Sequence, residues 1–492
     1  MKPAQASLGT VPARCLLTGG GAALVVVGVA LAWTIDASAA IAELEVDAGK
    51  VIGTIRSFQD VNCGPAPLVP GKLADVTTQY RELRIALVRT HDFFGPADVD
   101  ARRLDPDRIA RAVGASGENA IFRDWNADPE DERSYHFGPS DHVIKAIVDS
   151  GAEVYYRLGR SWSADPAPPP DFDKFARVCQ HIAMHYNDGW AQGFHFKIRY
   201  WEVWNEPDVK SAWDPSFVRP FWSGTPDQYY RLYEKVARAL KGYDPGLQVG
   251  GCAQAAGGHR GPYREGFLAY CAANRVPLDF FSWHYYHPPP TNPMDLLSIG
   301  KEVRQLLDRN GFKQAESHVT EWGLRRGSPD RANPDSAVGA AFVAAVMINL
   351  QDSVVDHAFN YRGDATSEGL FNRVGDFRKK AYVFKAAGAM LDTPQRLAVT
   401  GGEGRDIAVL AGRSADSKKV QVLVANLRNH DSCRLTIQHL PWGRGPFQIK
   451  RYRLSDTDRF EPPLESTGQD CKIEITSQLA APSVEFMVLQ PQ

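Results

Sequence analysis

Trp201-Glu202-Val203-Trp204-Asn205-Glu206-Pro207-Asp208 begins as an apolar, aromatic run of strand character and stops at Asn-Glu-Pro. A proline cannot continue a sheet ladder, and the residue before it is pushed toward extended geometry. The stretch therefore reads as a strand that ends by presenting Glu206. Ser317-His318-Val319-Thr320-Glu321-Trp322-Gly323 has the same shape, a β-branched run that delivers a carboxylate beside a tryptophan.

Outward from these two stretches, short apolar runs alternate with amphipathic segments over about residues 55–391. The strand candidates are 58–63, 85–90, 153–158, 199–204, 247–251, 279–284, 317–322 and 357–361. Ser140 is placed to cap a helix carrying Val143, Ile144, Ile147 and Val148 on one face. Asp171 starts another, with Phe175, Val178, Cys179 and Ile182, and Asp227 a third, with Leu232, Val236 and Leu240. Eight such β-α repeats predict an α/β chain folded as a (β/α)8 TIM barrel. Active sites of that fold lie at the C-terminal ends of the strands, where both glutamates fall, at strands four and seven of the count. The long stretch Asp92–Pro139, the Pro-rich 164–170 and the segment 209–225, with Trp213, Phe221 and Trp222, read as loops on that face.

From 392 to 492 the pattern changes to alternating runs at 407–411, 420–426, 433–438, 448–454, 471–475 and 483–489, separated by Gly, Pro, Asp and Asn, which predicts a β-sandwich accessory domain. Residues 41–54 also alternate and are assigned as a strand joining it.

The 492 residues suffice for a large barrel plus an accessory domain. A formal net charge of −2 gives no reason to expect nucleic acid as a partner. Eleven Trp and 17 Tyr supply flat faces for sugar stacking, although large cores also hold many aromatics. Arg14 precedes an apolar, Gly-rich run over 16–35, and Ala37-Ser38-Ala39 follows in an A-x-A pattern, so residues 1–40 read as an export signal or membrane anchor. Cleavage after Ala39 or Ala40 and anchoring through 16–35 are both open. Either places the barrel outside the cytoplasm, periplasmic, secreted or membrane-anchored. The cysteines form no CxxC pair, none of the 13 His forms HxH or HExxH, and G-x-S-x-G is absent. Neither a metal centre nor another cofactor is expected. Cys433 and Cys471 are the pair to suspect if any disulfide forms, with buried free thiols the simpler expectation.

Acetal cleavage needs one protonated carboxyl for the leaving oxygen and one ionised carboxylate at the anomeric carbon. Glu206 and Glu321 can divide those roles. Asn205 can hydrogen-bond the hydroxyl beside the anomeric carbon, and Trp322 can offer a face to a sugar ring.

Trp204-Asn205-Glu206-Pro207 and Thr320-Glu321-Trp322 resemble the acid/base and nucleophile signatures of the clan A glycoside hydrolases. Val88-Arg89-Thr90-His91, Gly250-Gly251 and Phe281-Ser282-Trp283-His284-Tyr285-Tyr286 resemble segments of family 39, which holds β-xylosidases, α-L-iduronidases and bacterial exopolysaccharide hydrolases. The resemblance implies a retaining O-glycoside hydrolase acting on a poly- or oligosaccharide by double displacement, with Glu206 as acid/base and Glu321 as nucleophile. It further implies that His91, Asn205, His284 and Tyr286 line the sugar subsite, that Tyr286 hydrogen-bonds Glu321, and that Arg89 supports Glu321 in its ionised form. The neighbouring carboxylate is expected to raise the pKa of Glu206. One departure stands out. Phe359-Asn360-Tyr361-Arg362-Gly363-Asp364 carries an Arg where the family brings a Trp, so Arg362 is expected either to contact an acidic or hydroxyl-rich sugar or to pair with Asp364. The competing reading is a non-catalytic carbohydrate-binding protein on a glycosidase barrel, which would not need a general acid.

Overall fold

In the computed structural model, the described residues are 41–67, 71–100, 119–161, 166–209, 221–255, 262–325, 327–328, 333 and 335–492. The candidate export segment and Trp213 lie outside them. Among the described residues, no helix is long and apolar enough to cross a membrane.

The first strand, β1 (Ile41–Thr54), precedes the barrel. Eight parallel strands then close on themselves in chain order: β2 (Asp60–Asn62), β3 (Leu87–Arg89), β4 (Glu153–Leu158), β5 (Tyr200–Val203), β6 (Gln248–Gln254), β7 (Phe280–His287), β8 (Glu316–Leu324) and β9 (His357–Asn360). Their residues are almost all buried because both faces are covered, inward by the barrel filling and outward by helices. Leu87, Tyr155, Tyr200, Phe280 and Phe359 form one interior layer.

The helix Phe172–Asp188 starts where expected: Asp171 accepts the Lys174 N–H at 3.0 Å, and Gly189 ends it at φ +78°. Two other starts differ from the sequence reading. The helix Pro226–Tyr243 is capped by Thr225, not Asp227, in a reciprocal box with Gln228 that also uses Pro226 at the first turn. Ser140 lies inside the helix Gly138–Asp149, and its hydroxyl accepts the Ala97 N–H at 2.8 Å, tying the loop after β3 to that helix.

The remaining strands are β10 (Gln395–Thr400), β11 (Ile407–Arg413), β12 (Val420–Asn426), β13 (Ser432–Gln438), β14 (Phe447–Leu454), β15 (Leu464–Gly468), β16 (Ile473–Ser477) and β17 (Ser483–Pro491). With β1 they form a nine-stranded sheet in the order β15-β14-β17-β12-β11-β10-β1-β13-β16. Val46, Leu397, Val422, Leu435, Ile449 and Leu489 from both halves share one apolar core, as in a sandwich, yet hydrogen bonds run through all nine strands. Strand β1 sits between β10, antiparallel, and β13, parallel. The opposite face of β11, β12 and β17 carries Leu410, Leu423 and Phe486 into the core of the barrel's helical layer. There the helix Ala337–Asn349, apolar up to its last residue, packs on them.

Cys63, Cys179, Cys252, Cys271, Cys433 and Cys471 are all free thiols. Cys433 faces Ser477 across the β13–β16 ladder, so it does not meet Cys471.

Candidate active site

Strand β5 ends at Val203, and the chain then turns sharply. Trp204 and Glu206 both have positive φ, +74° and +44°. Glu206 thus does not take the extended geometry expected before Pro207. Left-handed geometry costs non-glycine residues about 1–3 kcal/mol each and persists only where neighbours over-determine it. Here the Trp204 N–H donates to Leu158 O (2.6 Å), the Glu206 N–H to Ala253 O (2.9 Å) and Trp204 Nε1–H to Phe221 O (3.1 Å). Three neighbouring segments therefore fix the turn that presents Glu206.

Glu206 and Glu321 meet at this end of the barrel. Glu206, His284 and Glu321 each offer an atom, a carboxylate oxygen or ring nitrogen, and these atoms all lie within 4.8 Å of one another. Glu206 Oε1 is 2.7 Å from His284 Nδ1. Glu321 accepts from Arg89 Nη1 at 3.0 Å on Oε1 and from the Tyr286 hydroxyl at 2.6 Å on Oε2. His91 Nε2 lies 3.3 Å from Glu321 Oε1 and 3.1 Å from Asp92 Oδ1. Arg89 is fully buried and divides its donors: Nε to Glu202 (2.6 Å), Nη1 also to Asn62 (3.0 Å) and Nη2 to Asn205 Oδ1 (2.8 Å). Its guanidinium thus bridges β2, β5 and β8.

These surroundings separate the two carboxyls. Burial pushes the Glu206 carboxyl up to about 8, with Arg89 opposing and Asp92 adding. The sequence reading expected the neighbouring glutamate to be the cause, but removal from water is the larger one. Burial also raises Glu321, and His284, Arg89 and the Tyr286 hydrogen bond oppose it. Burial lowers His284 to about 4 and holds His91 well below its ordinary value, so both rings are neutral near pH 7. Asn205 Nδ2, His91 Nδ1 and His284 Nε2 are buried without a hydrogen-bond partner among the described residues, and such polar atoms are expected to meet water or a ligand.

A sequence model described as glycosyl hydrolases family 39 matches residues 146–368. A solved glucosidase from Croceicoccus marinus is 31% identical, covers 92% of this chain and 99% of its own, and superposes with a TM-score of 0.79. The chain belongs to glycosyl hydrolases family 39. A β-xylosidase of Geobacillus stearothermophilus is 28% identical to this family 39 chain over 281 residues, 50% of this chain and 52% of that protein. The chain spans about half the length of the curated relatives it matches. The GH39 enzyme of Xanthomonas axonopodis pv. citri shares the fold at 18% identity and a TM-score of 0.67, over 92% of this chain and 98% of that one.

In this family 39 chain Arg89, His91, Asn205, Glu206, His284, Tyr286 and Glu321 come together in one cluster: hydrogen bonds join Arg89, Asn205, Tyr286 and Glu321, Glu206 pairs with His284, and His284 Nδ1 lies 3.7 Å and His91 Nε2 3.3 Å from Glu321. Two expected residues stand apart. Trp322 is fully buried in the apolar core and offers no open face to a sugar. Side chains alternate along a strand, so a residue next to inward-pointing Glu321 points into the helical layer. Arg362 is committed to protein carboxylates: Nε donates to both Asp364 oxygens (2.9 and 3.0 Å), Nη2 donates to Asp364 Oδ2, and Nη1 lies 3.6 Å from Asp92. Of the two expectations for Arg362, the geometry gives pairing with Asp364.

Other participants carried no sequence motif: Glu202, Asn62, Asp92 and Tyr361, whose hydroxyl donates to Asp92 Oδ2. Glu202 and Asn62 could have been suspected only as buried polar residues inside apolar strands. Asp208 is a further one. Its Oδ1 accepts the Ala255 N–H at 3.0 Å, and burial pushes its carboxyl up to about 7.

Proposed function

We propose that this chain is a retaining O-glycosidase working by double displacement, with Glu206 as acid/base and Glu321 as nucleophile. The observation that carries the reading is the approach of the two carboxylates, with oxygens within 4.8 Å. Retaining pairs stand about 5–5.5 Å apart, whereas inverting pairs leave roughly 6.5–9.5 Å for a water. Glu206, neutral near pH 7, gives its proton to the leaving oxygen as Glu321 attacks the anomeric carbon. Arg89 and Tyr286 hold the Glu321 oxygens in line. Once Glu321 is esterified its charge is gone, Glu206 is left ionised, and it can take a proton from water for the second displacement. Asn205 Nδ2 and His284 Nε2 are the open polar atoms from which sugar hydroxyls can gain hydrogen bonds.

The relatives' names, β-xylosidase and glucosidase, make xylosides and glucosides the first substrates to test. The test is hydrolysis of an aryl glycoside panel by wild type, Glu206→Gln and Glu321→Gln, with product stereochemistry followed by NMR. Both variants should lose about 10⁴-fold or more in turnover, and the first-formed sugar should retain its anomeric configuration. Inverted product, or undiminished activity in either variant, overturns the assignment. Polysaccharide binding by an inert wild type would favour the binding-protein reading.

We also infer that residues 1–40 direct export, on the strength of the apolar run and the A-x-A pattern. N-terminal sequencing of the mature protein distinguishes cleavage near Ala39 from retention as an anchor.

A further inference from the structure

The opposite end of the barrel carries a second cluster. Glu316 and His357 are the first residues of β8 and β9, and His318 is the third residue of β8. Glu316 lies five residues before Glu321, so this cluster is roughly 16 Å from the catalytic pair. A Glu316 oxygen, a His318 nitrogen and a His357 nitrogen all lie within 4.8 Å of one another. Glu316 Oε2 is 2.9 Å from His318 Nε2, and the Tyr200 hydroxyl lies 3.1 Å from Glu316 Oε2 and 3.3 Å from His357 Nε2.

We propose that Glu316, His318 and His357 form a divalent transition-metal site, fitted to Zn²⁺, that closes the N-terminal end of the barrel. Four observations carry this. The donor set, two imidazoles and one carboxylate, is one that zinc takes, leaving a fourth position for water. Zinc bonds of about 2.0–2.1 Å place tetrahedral ligand atoms roughly 3.3 Å apart, while Glu316 Oε2 and His318 Nε2 are 2.9 Å apart and all three ligand atoms lie within 4.8 Å, so side-chain adjustment reaches that spacing. Each imidazole is also held through its far nitrogen, His357 Nδ1 by Asp60 Oδ2 at 3.1 Å and His318 Nδ1 by the Tyr155 hydroxyl at 3.1 Å. A carboxylate at Nδ1 fixes the proton there and leaves the His357 Nε2 lone pair facing the cluster, the usual outer-shell arrangement of metal-bound histidine. Finally, the Glu316 side chain is 37% exposed and that of His357 22%, which gives an ion a way in, while His318 is fully buried.

The surrounding charge favours a cation. Glu316, Asp60, Asp356 and Glu153 act on the cluster, against the guanidiniums of Arg199 and Arg56. Arg199 Nη2 donates to the Tyr200 hydroxyl at 2.6 Å, which engages that oxygen and leaves the fourth position to water. Binding would tie β8 directly to β9 and, through Asp60, to β2, which is the seam where the last barrel strand meets the first.

The test is equilibrium dialysis of the chelator-stripped full chain against Zn²⁺, with metal counted by mass spectrometry and Co²⁺ ligand-field absorption as a second readout. Wild type and Glu206→Gln should each take up one ion per chain, and Zn²⁺ should raise Tm without changing aryl glycoside turnover more than about twofold. Glu316→Gln and His357→Asn should bind at least about 100-fold more weakly, and Asp60→Asn about 10- to 100-fold more weakly. Circular dichroism checks that each variant is folded, and Asp60→Asn leaves all three ligands in place. No uptake by folded wild type, or equal uptake by folded His357→Asn, overturns the site. Loss in Glu206→Gln with retention in His357→Asn would move the metal to the catalytic carboxylates and likewise overturn it.

Discussion

Arg89 donates from Nη1 to Glu321 Oε1 at 3.0 Å while its Nε holds Glu202 at 2.6 Å and its Nη2 holds Asn205 at 2.8 Å. The cation that faces one carboxylate at the barrel mouth is therefore itself clamped by groups on a different strand. A lysine keeps the charge but loses the planar fork. Arg89→Lys should lower kcat by about 100-fold with a smaller change in KM. Arg89→Ala, which strands buried Glu202, should cost about 3–5 kcal/mol of stability by denaturant titration. Unchanged kcat in a folded Arg89→Lys protein would remove Arg89 from the support of Glu321.

The Tyr286 hydroxyl contact to Glu321 Oε2 is a hydrogen bond to a charged acceptor, and such bonds contribute about 1.5–3 kcal/mol. Tyr286→Phe should therefore lower kcat/KM by about 10- to 100-fold and leave Tm nearly unchanged, since the ring is retained. A loss confined to KM would mean that the hydroxyl serves the substrate rather than the carboxylate.

The pH profile follows from the two carboxyls. In the proposed mechanism Glu206 must be protonated to act as acid, and its value of about 8 places the alkaline limb of kcat/KM there. Glu321 must be ionised, and its upward displacement by burial puts the acid limb above the ordinary Glu range. Glu206 also couples pH to stability. Its folded value lies above its ordinary 4.5, so its contribution is complete below that pH and is lost as pH rises through about 8. Glu206→Gln should flatten this decline, measured by denaturant titration across the window. An alkaline limb that stays put in Glu206→Gln, on a substrate needing no acid, would assign it to another group.

Arg362→Ala should act on the fold and not on sugar choice. The substitution leaves Asp364 and Asp92 without their buried cation, a loss of about 3–5 kcal/mol. Turnover of neutral and uronic substrates should fall by similar factors. A selective loss on uronic substrates would restore a direct sugar contact.

Trp322→Phe should likewise lower Tm through a packing defect, with KM within about twofold of wild type. A KM rise of tenfold or more without a Tm change would mean that the ring reaches the sugar.

The barrel was legible because its strands are short apolar runs separated by amphipathic helices. Glu153–Leu158 has the same limits in sequence and structure. Strands β10 and β15 escaped because their side chains are largely half-buried or exposed, so no buried run or clean alternation marks them. Glu206 and Glu321 were found because each sits in a motif that a strand end explains. Glu202 and Asp92 were not, since their importance comes from Arg89 and Arg362, which only the closed barrel brings near. Trp322 was misread because a residue next to inward-pointing Glu321 on a strand takes the opposite face.

Strand β1 comes from one side of the barrel in sequence and is inserted between β10 and β13, which come from the other, while Leu410, Leu423 and Phe486 rest on the helix Ala337–Asn349. The strand-rich tail is thus not a detachable appendage. Truncation near residue 391 would strip β1 of both neighbours and expose an apolar helix to water. The chain from residue 41 onward should melt in one calorimetric transition, and limited proteolysis should release no stable free-standing barrel.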